Sequence, residues 1–214
     1  MLKEYRTIFE PGEDEVVEKK SRFIGYVRHV ETEEEANAFI VEIKKKHYDA
    51  RHNCFAYVIG QERPILRFSD DGEPGGTAGK PILEVITGNE LSDVCIVVTR
   101  YFGGTLLGTG GLVRAYTDAS KACINATEIV RKRLVFPVVL RTNYNDLGKI
   151  QHLLSKENIM VEDSLYEENV ELKVNIPYDS YDRIEKLLIE ATAARIDMKK
   201  YNATYTIYED IGLY

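Results

Sequence analysis

The run Val94-Cys95-Ile96-Val97-Val98, inside the segment DVCIVVTRYF, is apolar at five consecutive positions. A strand with one wet face alternates apolar and polar residues, so an unbroken run predicts a strand covered on both faces. Glycine-rich stretches flank it, SDDGEPGGTAG (69–79) before and FGGTLLGTGG (102–111) after. Each leads into a helical pattern, KPILEVIT in the first case and GLVRAYTDASKACINATEIV in the second. In the longer pattern Leu112, Ala115, Ala119, Ala122, Cys123 and Ala126 recur at helical spacing, and their small size predicts a helix packed closely on a sheet.

Around this centre, RFIGYVRHV reads as a strand. TEEEANAFIVEIKKKH reads as a helix with Thr32 as N-cap and Glu35 completing a capping box. It sets Ala36, Phe39, Ile40, Ile43 and His47 on one face. HNCFAYVIG and PILRFSDD predict a hairpin turning at Gln61 to Pro64. Arg131, Lys132 and Arg133 are assigned to the end of the GLVRAY helix, where cations suit the dipole.

The pattern then restarts. VFPVVLRTN is a strand, and Asn145 or Asp146 caps a helix with Leu147, Ile150, Leu153 and Leu154 inward. NIMVEDSLY returns as a strand, NVELKVNIP alternates cleanly, and YDSYDRIEKLLIEA places Ile184, Leu187, Leu188 and Ala191 on one stripe before the strand YNATYTIYED. This βαββαβ order is the split βαβ, ferredoxin-like arrangement, with both helices on one face of an antiparallel sheet and the outward tyrosines on the other. The expected fold class is α+β, an α/β domain over 1–136 followed by a ferredoxin-like domain over 137–214.

Charge sharpens the division. The chain carries a net charge of −7, of which −2 falls in residues 1–136 and −5 in residues 137–214. Such a balance excludes indiscriminate coating of polyanions but leaves a focused arginine site open. Three scattered cysteines fit a reducing compartment. The charged N-terminal stretch and the lack of an apolar run near the roughly 20 residues of a membrane span point to a cytoplasmic protein with no membrane partner.

Chemically distinctive residues concentrate in three blocks: His52-Asn53-Cys54, Ser69 to Gly79, and Arg100 through Arg114. Gly-rich loops that enter helices present backbone N–H groups and the positive dipole end to an anion. Arg100 and Arg114 bracket the second loop and are candidates to grip the same anion. The competing reading gives the glycines to left-handed turns and close helix approach. Neither loop fits a P-loop or a dinucleotide fingerprint. Asp70, Asp71 and Glu73 are candidates to hold magnesium beside a phosphate, or merely to favour a helix N-terminus. Cys54 near His52 is either a nucleophile or a buried core thiol. His29, His47 and His152 have no zinc spacing, and no metal or cofactor is assigned.

These blocks carry a resemblance. The residues Gly79, Lys80-Pro81, Ile82-Leu83, Arg100-Tyr101-Phe102-Gly103-Gly104 and Leu107-Gly108 resemble the signature of the IMPACT/YigZ family. KKSRFIGYV, HNCFAYVIG, SDDGEPGGTAGKPIL and LGTGGLVRAY read like its bacterial members, over most of residues 17–120. The resemblance implies an N-terminal fold like that of a ribosomal-protein domain and elongation factor G domain IV, and a C-terminal part like the last domain of elongation factor G. It also implies a link to translation. Eukaryotic members restrain a stress kinase by competing for its ribosome-associated activator, using an extra N-terminal domain for which this sequence shows no counterpart. What carries over is a surface of His52, Asp70, Asp71, Glu73, Arg100, Tyr101, Gly103, Gly104 and Arg114 with no reaction attached.

Three functions are compatible with these observations. The first is a noncatalytic, translation-associated regulator that binds RNA, the ribosome or a translation-factor-associated protein through the Arg100 to Arg114 loop, with Tyr101 stacking on a base. The second is a metal-assisted enzyme acting on a phosphorylated metabolite or nucleotide. The third is a pure protein-interaction module.

Overall fold

The computed structural model describes residues 3–208, which form two compact units, one over residues 3–131 and the other over Lys132–Tyr208. Together they hold five helices and two antiparallel sheets.

In the first unit, β1 (Glu4–Ile8) bridges in parallel to Leu91, and the main sheet comprises β2 (Gly12–Glu18), β3 (Ser21–His29), β4 (His52–Ile59), β5 (Ile65–Ser69) and β6 (Val94–Tyr101). Its order is β2-β3-β6-β4-β5, antiparallel throughout. The unalternating run is therefore the central strand. Val94, Ile96 and Val98 of β6 join the core beneath α2 (Gly79–Gly88) and α3 (Gly108–Asn125), while Cys95 and Val97 join a second core beneath α1 (Glu33–Lys46). Helices cover both faces, which is why no position of the run is polar.

The predicted face of α1 is buried at Ala36, Phe39, Ile40, Ile43 and His47. Thr32 caps it, accepting from the Glu35 amide at 3.1 Å. Only half the capping box closes, because the Glu35 carboxylate takes the Glu31 amide at 2.7 Å rather than that of Thr32. The hairpin of β4 and β5 turns where predicted.

Arg131, Lys132 and Arg133 do not end a helix. α3 stops at Asn125 with Ala126 as C-cap, and the basic triplet lies in β7 (Ile129–Thr142). The β-branched residues Thr127, Ile129 and Val130 favour extended chain over another helical turn.

In the second unit β7 is followed by α4 (Tyr144–Lys156), β8 (Val161–Tyr166), β9 (Val170–Pro177), α5 (Tyr181–Ala191), β10 (Asp197–Lys200) and β11 (Thr204–Ile207). β7 pairs with β9, β9 with β8, and both short last strands pair with β7, all antiparallel. Val170, Leu172, Val174 and Ile176 of β9 face Ile150 and Leu154 of α4 and Ile184 and Leu188 of α5 in one core. The N-cap of α4 is Asn143, not Asn145 or Asp146; its side chain accepts from the Asp146 amide at 3.0 Å. Asp146 instead sits buried one turn in, held by Arg195 and Lys149.

The tyrosines divide between the faces of this sheet: Tyr166 and Tyr205 are in register with the core-face residues Val170 and Leu134, while Tyr201, opposite Pro137, is exposed. Tyr181 is buried in the core against Phe136. The face away from the helices carries cross-strand charge pairs, Lys173 with Asp163 at 2.8 Å and Arg141 with Glu171 at 3.8 Å. Among the described residues no helix is long and apolar enough to cross a membrane.

Candidate functional site

The three chemical blocks meet at one end of the first sheet. His52 and Arg100 are register partners across β4 and β6, so their side chains stand side by side on the face covered by α2 and α3. The loop after β5 then closes over them. His52 Nδ1 lies 2.9 Å from the Asp71 carbonyl oxygen, to which it donates, and this assigns its proton to Nδ1.

Each carboxylate of that loop has an internal task. Asp70 accepts from the amides of Gly76 (2.8 Å), Ala78 (3.0 Å) and Gly79 (2.8 Å), winding the loop into the start of α2. Burial alone would raise this carboxyl, but the three amides outweigh it and hold it below its usual range. Asp71 accepts from the Asn53 amide at 2.7 Å and from Lys44 at 2.8 Å. Glu73 Oε1 accepts from Arg100 Nη1 at 2.7 Å and from the Tyr116 hydroxyl at 2.8 Å. The three acids therefore point to three different partners and do not converge on a magnesium site, and among the described residues no group of acids, histidines and cysteines is arranged to hold a metal.

Cys54 is core rather than nucleophile. Its thiol donates to the Asp70 carbonyl at 3.0 Å, and burial pushes its pKa up, away from the thiolate. Tyr116, 3.4 Å from that sulfur, is raised by burial as well.

Arg100 and Tyr101, adjacent in sequence, serve opposite faces of the sheet. Arg100 is 6% exposed between the rings of Phe23 (5.4 Å) and Phe102 (5.6 Å). Tyr101 turns to the α1 side, where its hydroxyl donates to Asp49 at 2.8 Å and lies 2.9 Å from His47 Nδ1. Its hydroxyl is thus engaged away from the loop, and Phe102, 48% exposed, is the aromatic available there. Nor do Arg100 and Arg114 share an anion. Tyr116 faces the sheet from α3, so Arg114, two residues earlier and about 200° round the helix, is exposed on the outer side.

The two predicted loop glycines differ. A Cβ at Gly103 would overlap the backbone of Lys20 and Ser21, so this glycine exists to let the β2–β3 turn approach. Gly104 has φ +85 and open space around it. That turn brings in residues that sequence reasoning missed, Lys19 and Lys20, both exposed and both at positive φ (46 and 68). β2 is a polar edge strand without apolar alternation, so nothing in the sequence announces the hairpin that carries them.

Beyond the loop, α3 starts without a side-chain cap at Leu107, and Gly108, Thr109 and Gly110 are exposed. Its first amide groups and the positive end of an 18-residue helix face outward, one turn from Arg114. The loop before them exposes Leu106 at 83%.

Residues 19–124 match the Impact N-terminal domain family, and residues 140–195 match a domain of unknown function, DUF1949. The chain is 42% identical over 205 residues to IMPACT family member YvyE of Bacillus subtilis (strain 168), covering 96% of this chain and 94% of that one. It is 41% identical over 161 residues to IMPACT family member YigZ of Escherichia coli (strain K12), covering 74% of this chain and 79% of that one. A solved structure described as a hypothetical protein superposes with a TM-score of 0.63 at 34% identity, covering 92% of this chain and 97% of the other. With both parts matched and such identity over nearly its whole length, the chain belongs to the IMPACT family.

Proposed function

We propose that this protein is a translation-associated regulator that docks on a ribonucleoprotein surface through the segment from Phe102 to Arg114. The observation that carries the reading is the uncapped, exposed first turn of α3, flanked by Arg114 on the same helix and, through Gly103, by the Lys19-Lys20 turn. Outward amides, a helix dipole and three cations on short elements suit phosphate groups. Phe102 and Leu106 add exposed apolar surface for an unpaired base or a protein side chain.

Family membership, shared with a Protein IMPACT homolog of Saccharomyces cerevisiae at 30% identity over 116 residues, supports the link to translation. The order of Lys132–Tyr208, βαββα closed by two short strands that both pair with β7, supports reading the two parts, 1–136 and 137–214, as domains, the second ferredoxin-like and similar to the last domain of elongation factor G. The first part is read as the ribosomal-protein-like fold, and the protein as cytoplasmic.

Cofractionation with ribosomes, followed by sequencing of RNA cross-linked to the protein, tests the proposal. Recovery of defined ribosomal RNA segments, weakened by Lys19→Glu with Lys20→Glu, supports it. Absence of the protein from ribosomal fractions at low salt contradicts it.

A further inference from the structure

Among the described residues, one buried side-chain nitrogen or oxygen has no hydrogen-bond partner, and it is Arg100 Nε. Buried polar groups in folded proteins are nearly always paired, and an orphan on a guanidinium is unusual because the group is charged. The surroundings explain how it arises. Glu73 takes Nη1 alone, Tyr116 shares the same carboxylate oxygen, and Phe23 and Phe102 lie over the remainder of the group. Asp70 and Asp71 are occupied by amides and Lys44 and offer nothing to Arg100.

We propose that Arg100 is the floor of a binding site for a phosphate monoester, entered past Phe102. The Nε edge of a guanidinium presents Nε–H and an Nη2–H in parallel, the fork that grips two oxygens of one anion. His52, directly across the strand pair, adds the selectivity. Its Nδ1 proton is given to Asp71, so Nε2 is an acceptor. A planar carboxylate lying in the guanidinium plane has no third oxygen for it, whereas the singly protonated form of a tetrahedral phosphate monoester carries a hydroxyl out of that plane that can donate to Nε2. Phe102, half exposed with its ring against the guanidinium, is the cover that must swing aside. The site adjoins the docking surface proposed above, sharing Phe102 with it, but its ligand contacts are Arg100 and His52 rather than the exposed turn of α3 and the lysine hairpin.

The test is a proton–nitrogen spectrum of the full chain recorded in the arginine Nε region, with the Arg100 signal assigned by its loss in Arg100→Lys. Titration with inorganic phosphate is expected to shift that signal saturably, and sodium acetate at equal ionic strength is expected to leave it in place. Phe102→Ala, at a half-exposed position, is expected to bind phosphate several-fold more tightly, with its melting curve recorded alongside to confirm that it is folded. Glycerol phosphate and a 5′-phosphorylated dinucleotide, compared with its 5′-hydroxyl counterpart, distinguish a small metabolite from an RNA end as the source of the monoester. An Arg100 signal unmoved by phosphate in both the wild type and Phe102→Ala would overturn the proposal, whatever the outcome of ribosome cofractionation.

Discussion

Arg100 and Glu73 form an ion pair 2.7 Å long whose side chains are 7% and 3% exposed. It fastens the loop after β5 to the end of β6, and through Tyr116 it fastens α3 to both. Removing one member of such a pair strands a charge, at a cost of about 3–5 kcal/mol. Glu73→Ala is therefore expected to lose about that much in urea denaturation. The double variant Glu73→Leu with Arg100→Met, which strands no charge, is expected to recover most of it. Equal losses in both variants would show that the ion pair is not what holds the loop.

On the other face of the sheet, His47 bridges two tyrosines, with Nε2 2.7 Å from the Tyr26 hydroxyl and Nδ1 2.9 Å from that of Tyr101. Tyr101 donates its hydroxyl proton to Asp49, so His47 Nδ1–H donates to Tyr101, while the Tyr26 hydroxyl lies between His47 Nε2 and Glu13, to whose carboxylate it donates at 3.1 Å. Burial, and after it the charge of Lys46, lowers the pKa of His47. The unfolded chain then binds this proton more readily than the folded one. The contribution is thus complete above an unfolded pKa of about 6.5 and is lost as pH falls through the lower folded value. His47→Gln is expected to flatten the slope of melting temperature against pH on the acid side of neutrality. Asp146 acts only in stronger acid. Arg195 and Lys149 hold its carboxyl well below the usual range, so its support is lost below about pH 4.

Cys54, Cys95 and Cys123 are all buried, and burial pushes each thiol up, Cys123 to about 12. Reaction with a disulfide reagent is expected to proceed only through unfolding, with all three thiols labelled at one rate that rises with denaturant. Rapid labelling of a single thiol under native conditions would contradict this arrangement.

Gly110 and Gly103 should respond oppositely to alanine. A Cβ at Gly110 meets nothing, and alanine in a helix is favoured over glycine by up to about 1 kcal/mol. Gly110→Ala is expected to raise stability by several tenths of that while its methyl group shields the amides of α3 and weakens docking. At Gly103 the methyl group would drive into the Lys20 backbone, and the variant is expected to lose stability and displace the lysine turn. Thermal melts and ribosome pelleting of the two variants check both halves.

The elements most legible in the sequence were those with one dominant local cause. β6 declared itself through five apolar residues without alternation, and α1 through Thr32 and its apolar stripe. The chemical blocks were legible as a group but not in their roles. Period-two alternation separates Arg100 from Tyr101, yet only the closing of the loop over β4 and β6 shows that Arg100 pairs with Glu73 through Nη1. The basic triplet at Arg131 was misplaced because cations suit a helix end and a solvated strand equally, and the end of α3 at Asn125 has no glycine or proline to mark it. Lys19 and Lys20 reach the loop after β6 through the close approach of the Lys20 backbone to Gly103, for which no local pattern exists.

The central claim, docking through the exposed turn of α3 and the neighbouring cations, is tested most directly by the salt dependence of ribosome binding. Each phosphate contact contributes a slope near −0.7 to −0.9 in log affinity against log salt. The wild type is expected to bind with a steep negative slope, and Arg114→Ala to weaken binding and reduce the slope by about 1. Binding that is insensitive to salt, or a slope unchanged by Arg114→Ala together with Lys19→Glu and Lys20→Glu, would contradict the account.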